Sequence, residues 1–217
     1  LKSGRTAGGQ RAAASHTKSL AGRDEIFDAA CRQSGVVRAN DIESLYDMSK
    51  ALASLSFSGE NRLMVITSSG GSGILAVDNA EKHGLFVPPL PEAVVADLRQ
   101  ADIPANATLA NPLDLTVATA QEYKNALKIL VKEDLADFYL LIFGDPIPGA
   151  ADTAAWLREQ IGSRVAVAYL GGGLVEKEER IILHQAGIPV FPTPERAVVA
   201  LGTVAWLQKY KNARKSL

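Results

Sequence analysis

No aspartate or glutamate occurs before Asp24, although the chain as a whole carries 24 acids against 23 lysines and arginines, for a net charge of −1. The near-neutral total excludes a global pull towards nucleic acid or anionic membrane. The local absence leaves Lys2, Arg5, Arg11, Lys18 and Arg23 unopposed along the opening stretch. Cysteine is also scarce. With Cys31 alone, no intramolecular disulfide and no cysteine-built zinc site can form, which points to a reducing compartment. The three histidines, His16, His83 and His184, have no metal-ligand spacing. No apolar run approaches the ~20 residues that span a bilayer. No signal peptide is visible, so a cytoplasmic location is expected. Neither G-x-x-x-x-G-K-[ST] nor G-x-S-x-G occurs, which excludes a P-loop and a hydrolase elbow. The chain opens on Leu1 rather than Met, in what reads as the end of a strand, Leu1–Gly4. The expectation is a piece of a longer polypeptide.

What is present begins with the opening segment itself. Residues 1–23 are mostly glycine, alanine and serine between cations and read as a loop. Glycines let backbone N–H groups approach an anion, and nearby cations favour it. Within this segment stands Ser15-His16-Thr17. Histidine can be a neutral nucleophile near pH 7 and carry a transferred group, so His16 is the candidate catalytic residue. His83, at a helix end, and His184, inside a helix, read as structural.

Asp24 to Ser34 reads as a helix with Ile26, Phe27, Ala30 and Cys31 on its apolar face, stopped by Gly35. Cys31 reads as core. Asn40 with Glu43 forms a capping-box pattern that opens a second helix, with a stripe of Leu45, Met48, Leu52 and Leu55. A polar, glycine-containing stretch, 54–61, marks a boundary between a first unit, 1–57, and a second, 60–217. From Arg62 strands and helices alternate. Strands are expected at 63–66, 85–87, 138–143, 165–169 and 190–191. Helices are expected at 73–83, 92–100, 120–131, 151–160 and 174–186, with a last helix capped by Thr193 and started by Pro194. Residues 106–116 read as irregular. Lys177–Arg180 reads as a solvated helix face. The pattern predicts an α/β fold: a doubly wound, flavodoxin-like parallel sheet of about five strands, order 2-1-3-4-5, in a three-layer α/β/α sandwich. The first unit reads as the C-terminal part of another α/β domain.

In such sheets ligands bind outside the carboxyl ends of strands one and three. Those ends carry Ser68-Ser69-Gly70-Gly71-Ser72-Gly73 and Gly144-Asp145-Pro146. A buried strand, a glycine-rich turn and a helix start coincide in the first, which predicts an anion site on helix N–H groups. Gly71–Ala76 also fits G-x-G-x-x-A, with Glu92 some twenty residues on, so a dinucleotide site is an alternative.

The segments Leu1-Lys2-Ser3-Gly4-Arg5-Thr6, Ala14–Gly22, Phe27–Val36, Ile66–Gly73 and Asn111-Pro112-Leu113-Asp114-Leu115 together resemble the ADP-forming acyl-CoA synthetases of the succinyl-CoA synthetase superfamily. The resemblance implies interconversion of acyl-CoA, ADP and phosphate with free acid, CoA and ATP, through an acyl phosphate and a phosphohistidine. It makes His16 the phosphohistidine, with Ser15 and Thr17 as phosphoryl donors and Ser69, Gly70, Gly71, Ser72 and Gly73 as phosphate-binding turn. Lys18, Asn111 and Asp114 are candidate supporting residues; Lys18 stands where the family usually has glycine. CoA and ATP or ADP with magnesium enter as substrates, bound mainly by CoA-binding and ATP-grasp domains that this chain lacks. No tightly bound cofactor and no metal site is expected. The partners implied are those domains of the same enzyme in an oligomer, with no nucleic acid and no membrane. Relatives of the family that regulate fused protein acetyltransferases supply the alternative, an acyl-CoA or nucleotide-sensing module.

Overall fold

The computed structural model describes residues 1–17, 22–56 and 59–215. Helices α1 (Ala7–Thr17), α2 (Asp24–Ser34) and α3 (Ile42–Ser54) come first. Then follow β1 (Leu63–Thr67), α4 (Gly70–Lys82), α5 (Glu92–Arg99), β2 (Leu113–Asp114), α6 (Ala120–Leu130), β3 (Phe138–Phe143), α7 (Ala150–Ile161), β4 (Val165–Tyr169), α8 (Leu174–Gln185), β5 (Val190–Phe191) and α9 (Pro194–Lys215). The five strands form one parallel sheet in the order β2-β1-β3-β4-β5. The fold is therefore the expected α/β sandwich.

Alternation along the strands builds the two cores, because successive side chains point to opposite faces. Met64, Ile66, Tyr139, Leu141, Phe143, Val165, Val167 and Val190 pack with α5, α6, α7 and α8. Leu63, Val65, Phe138, Leu140, Ile142, Ala166, Ala168 and Phe191 pack with α3, α4 and α9. The alanines of β4 leave room for α9, which meets this face through Ala197, Ala200 and Ala205. Ala51 and Leu55 belong to the second core, and Ser56 donates its N–H to the Ser163 carbonyl at 2.9 Å. Arg196 of α9 donates to Asp47 of α3 at 2.6 Å. Packing thus runs on across the sequence boundary at 57–60, and α3 is a helix of the second layer.

Three expectations need correction. The opening segment is not all loop. Thr6 accepts the Gly9 N–H at 3.1 Å and so caps α1, and Ala12, Ala13 and Ala14, the strongest helix formers, outweigh Gly8 and Gly9 in its first turn. The cap of α3 is Asp41, which accepts from the Ser44 N–H at 2.6 Å, rather than Asn40, which accepts from Arg5. Finally, 85–87 does not form the second strand. Phe86 makes a single parallel bridge to Arg62, and Pro88, Pro89 and Pro91 end the pairing because proline has no N–H to donate. The edge position belongs to Leu113–Asp114, inside the stretch that reads as irregular.

Asn111 closes the gap between these two pieces of edge. Its Oδ1 accepts the Val65 N–H at 3.0 Å, and its Nδ2 donates to the Leu63 and Pro88 carbonyls at 2.9 and 3.0 Å. A peptide unit of a parallel neighbour would satisfy the same two groups flanking Met64. At the opposite end of the sheet, Asp137 is buried and organises the entry to β1. It accepts the N–H groups of Glu60 and Arg62 at 2.9 and 2.8 Å and pairs with the Arg62 guanidinium. Burial alone raises its pKa, but the Arg62 bonds prevail and hold the carboxyl below the usual range.

Two outcomes follow for stability. Asn111→Ala leaves one N–H and two carbonyls without their partner and should cost about 2–4 kcal/mol in urea unfolding, at roughly 1–3 kcal/mol per orphaned buried group partly relieved by water. Because the folded Asp137 carboxyl titrates below its unfolded value of about 4, its contribution is present above that pH and is lost as pH falls further. Thermal melts from pH 6 downward should show this loss, and Asp137→Asn should flatten it.

Candidate functional site

The carboxyl ends of β1, β2 and β3 meet at the switch point of the sheet. β1 ends in Thr67, whose Oγ1 accepts the Ser69 N–H and donates to the Ser69 carbonyl, both at 2.9 Å. This local loop turns the chain sharply into α4. Ser68 is buried and accepts the Gly144 N–H at 2.9 Å, tying the turn after β1 to the turn after β3. The Ser69 and Ser72 hydroxyls lie 2.9 Å apart.

Each glycine here answers to a different constraint. A Cβ on Gly70 would stand 2.6 Å from Asp114 Oδ2, and one on Gly144 would stand 2.7 Å from the Ser69 Cβ. Gly73 is pressed between Pro112 and Thr67, each 3.1 Å from where its Cβ would lie. Gly71 meets nothing within 4 Å. Packing therefore explains Gly70, Gly73 and Gly144 but not Gly71, whose open side faces solvent.

No side chain caps α4. Among the described residues, none accepts the N–H groups of Gly70, Gly71 and Ser72, which present the positive end of the helix to solvent. Asp114 stands beside them: its Oδ1 accepts the Thr116 N–H at 2.9 Å, while Oδ2 abuts Gly70. Asn111 acts from behind the turn, with its whole amide committed to the backbone around β1.

His16 and Ser15 are exposed on the last turn of α1. No hydrogen bond or ion pair among the described residues joins His16 to the Ser68–Gly73 turn. Lys18 and the side chain of Thr17 lie outside the described residues. Not all of the opening cations are unopposed in space. Lys2 and Arg5 each pair with Asp24 at 3.5 Å, and Arg38 joins the same carboxylate at 2.6 Å. The Arg38 hydrogen bond holds the Asp24 carboxyl below the usual range. Cys31 is buried, as expected of a core residue. Among the described residues no group of His, Cys, Asp and Glu could hold a metal ion.

Sequence reasoning placed Ser68 in the turn but not its hydroxyl's link to Gly144, and it misread Glu179. Far from standing on a solvated face, Glu179 is buried against α7. Buried Leu183 lies four residues on, and that spacing places Glu179 on the inner stripe of α8.

Residues 1–52 match the family model for the succinyl-CoA ligase-like flavodoxin domain. The chain is 34% identical, over 99% of its length, to the alpha subunit of acetate–CoA ligase [ADP-forming] I from Pyrococcus furiosus, of which it covers 47%. It is 34% identical, over 96% of its length, to acetate–CoA ligase [ADP-forming] I from Archaeoglobus fulgidus, of which it covers 30%. A solved structure, the dinucleotide-forming acetyl-coenzyme A synthetase 1 of Ca. Korarchaeum cryptofilum in complex with phosphate and ADP, superposes on the whole chain with a TM-score of 0.87 at 31% identity, and 48% of that chain is covered. Over nearly its whole length the chain is thus similar to ADP-forming acetate–CoA ligases. It spans between 30% and 47% of the length of these curated relatives. No helix among the described residues is long and apolar enough to cross a membrane.

The geometry of the turn yields a clean mutational contrast. Gly71→Ala should be neutral, or stabilising by up to about 1 kcal/mol, since alanine favours helix and the space is open. Gly70→Ala should cost about 1–3 kcal/mol by overpacking against Asp114. Adding Asp114→Ala should recover most of that cost, and a double-mutant cycle by urea unfolding reads the coupling.

Proposed function

We propose that this chain is the phosphoryl-carrying part of an acyl-CoA synthetase that interconverts acyl-CoA, ADP and phosphate with free acid, CoA and ATP. Residues 1–57 are then the C-terminal part of a succinyl-CoA-ligase-like domain, with its helix α3 packed against residues 60–217, the flavodoxin-like ligase domain. The observation that carries the reading is the open N-terminus of α4, where the free N–H groups of Gly70, Gly71 and Ser72 stand at the switch point of the sheet. The relatives named above all carry the names of CoA ligases or synthetases, which favours an enzyme over a regulatory module.

In this reading a phosphate oxygen docks on those three N–H groups, with the Ser69 and Ser72 hydroxyls as further donors. Phosphoryl transfer needs positioning and charge stabilisation more than covalent help, and a fixed helix end supplies both. A ring nitrogen of His16 attacks the phosphorus of an acyl phosphate, and the P–O bond to the acyl group breaks to release the free carboxylate. The phosphoimidazole then passes its phosphoryl group to ADP. Ser15 and Thr17 flank the ring and donate hydrogen bonds to the phosphoryl oxygens, and Lys18 adds a cation close by. Asp114 stands beside the docking turn as a supporting residue. CoA, ADP or ATP and magnesium are handled mainly by CoA-binding and ATP-grasp domains outside this chain, in a cytoplasmic oligomer.

The test mixes the chain with its nucleotide-binding partner, γ-labelled ATP and magnesium. Acid-labile, base-stable phosphate should appear on the chain and be absent from a folded His16→Ala variant. Equal labelling of that variant overturns the assignment.

A further inference from the structure

The last helix, α9, reaches further than the core it helps to close. Its 22 residues span ~33 Å at 1.5 Å each. The first half lies in the second core through Ala197, Val198, Leu201 and Ala205. Near its start Arg196 donates to Asp47 of α3. At its middle Gly202 is pressed against the end of α4, where a Cβ would stand 2.7 Å from the His83 carbonyl. Beyond Ala205 none of its described residues is buried.

That outer half nevertheless has a partner. Trp206 and Tyr210 are four residues apart and so share one face. Their rings stack with centroids 5.7 Å apart, and the Arg214 guanidinium lies over the Tyr210 ring, also at 5.7 Å. The Tyr210 hydroxyl donates to the Gln33 carbonyl at 2.5 Å. Gln33 belongs to the last turn of α2, whose carbonyls have no partner within the helix. The Tyr210 ring also covers Gly35 and leaves no room there for a Cβ. Gly35 thus answers to two constraints, its φ of 68° and this ring. α2 needs such a hold, because Cys31 is its one buried residue. At its other end, Asp24 of α2 pairs with Lys2 and Arg5 at the root of α1. α2 therefore stands between the helix that bears His16 and the unit that bears the α4 turn.

We infer that Tyr210 is a positioning residue, which clasps the end of α2 to α9 and so registers the His16-bearing unit on the unit that presents the α4 turn. α9 serves as the strut, since the same rod is wedged against α4 at Gly202 and holds α2 two turns further on. Phosphoryl transfer depends on placement, and a misplacement of about 1 Å costs on the order of 100-fold in rate. The inference rests on the reading of His16 as the phosphoryl carrier.

The experiment has two readings on the 217-residue chain and its Tyr210→Ala and Tyr210→Phe variants. The first is hydrogen exchange at the Val36 N–H, which donates to the Cys31 carbonyl at 2.9 Å across the end of α2. Exchange there should be about fivefold faster in Tyr210→Ala. The second is the rate of His16 labelling with the nucleotide-binding partner, γ-labelled ATP and magnesium. Tyr210→Ala should lower the maximal rate about tenfold and leave the ATP concentration at half-maximal rate unchanged. Tyr210→Phe keeps the ring over Gly35 but not the bond to Gln33, and should fall between the two. A role confined to stability would leave the rate of the folded protein as it was. Full-rate labelling of folded Tyr210→Ala overturns the inference, as does unchanged exchange at Val36. If Tyr210→Ala does not fold, Tyr210→Phe decides by the same two readings. No label on the unmodified protein overturns the His16 reading and this role for Tyr210 with it, whereas the exchange result still tells whether the clasp holds α2.

Discussion

The side-chain amide of Asn111 is the join on which the carboxyl edge of this sheet depends. β1 is flanked on one side by β3 along its whole length, but on the other by two disconnected pieces, Phe86 at its start and Leu113–Asp114 at its end. Between them Asn111 takes the Leu63 carbonyl and the Val65 N–H, groups that lie in a core where an unpaired peptide would be costly. The consequence reaches outward along the chain. By fixing residue 111 against β1, the amide fixes Pro112 against Gly73 and Asp114 against Gly70. The approach of α4 to the sheet, and the acid beside its first turn, are set by one carboxamide three residues away from that acid.

Charge at this edge is managed by placement rather than by number. Two of the cations that look unopposed along the first 23 residues, Lys2 and Arg5, are drawn with Arg38 into an ion-pair cluster around Asp24. Such partly exposed pairs contribute little stability singly, but together they anchor the start of the chain to α2. The positive potential left at the sheet edge comes from peptide dipoles. Dipoles held by hydrogen bonds do not reorganise when charge arrives, which is the property a phosphoryl site needs. A lysine at the same place would have to give up hydration and rotamer freedom first.

The legible part of this structure is the part dominated by hydrophobic period. Val65-Ile66, Tyr139–Phe143 and Val165–Tyr169 are unbroken apolar runs, and their length and flanking turns admit one reading, a parallel sheet covered on both faces. Gly35 stops α2 because its backbone turns to φ 68°, the left-handed conformation that glycine allows. The second strand was hidden for a physical reason. A two-residue strand whose neighbour is a side-chain amide has no period to detect, whereas Leu85-Phe86-Val87 has one but is cut off by prolines. Glu179 was hidden by its company. Among Lys177, Glu178 and Arg180 its charge suggests solvent, and only its spacing from Leu183 tells which side of α8 it faces. The partnership of Ser68 with Gly144 joins positions 76 apart and carries no local signal.

The proposed role of His16 makes a demand that α1 is built to meet. A phosphoryl carrier has to present its ring to more than one site, so the segment bearing it must rearrange at little cost. α1 has 11 residues, two of them glycines, and its outer surface is exposed. Isolated helices shorter than ~12–15 residues are marginal in water even when rich in alanine. The order of α1 therefore leans on its Thr6 cap and on the anchoring of Arg5 to Asp24, both at its start. His16 lies at the other end, in the last turn, where fraying is easiest and where a cationic ring gains from the helix dipole while a phosphorylated, anionic one loses it. Phosphorylation of the ring would thus weaken the very turn that holds it, and the charge it carries would be better placed against the open end of α4 than at the carboxyl end of α1.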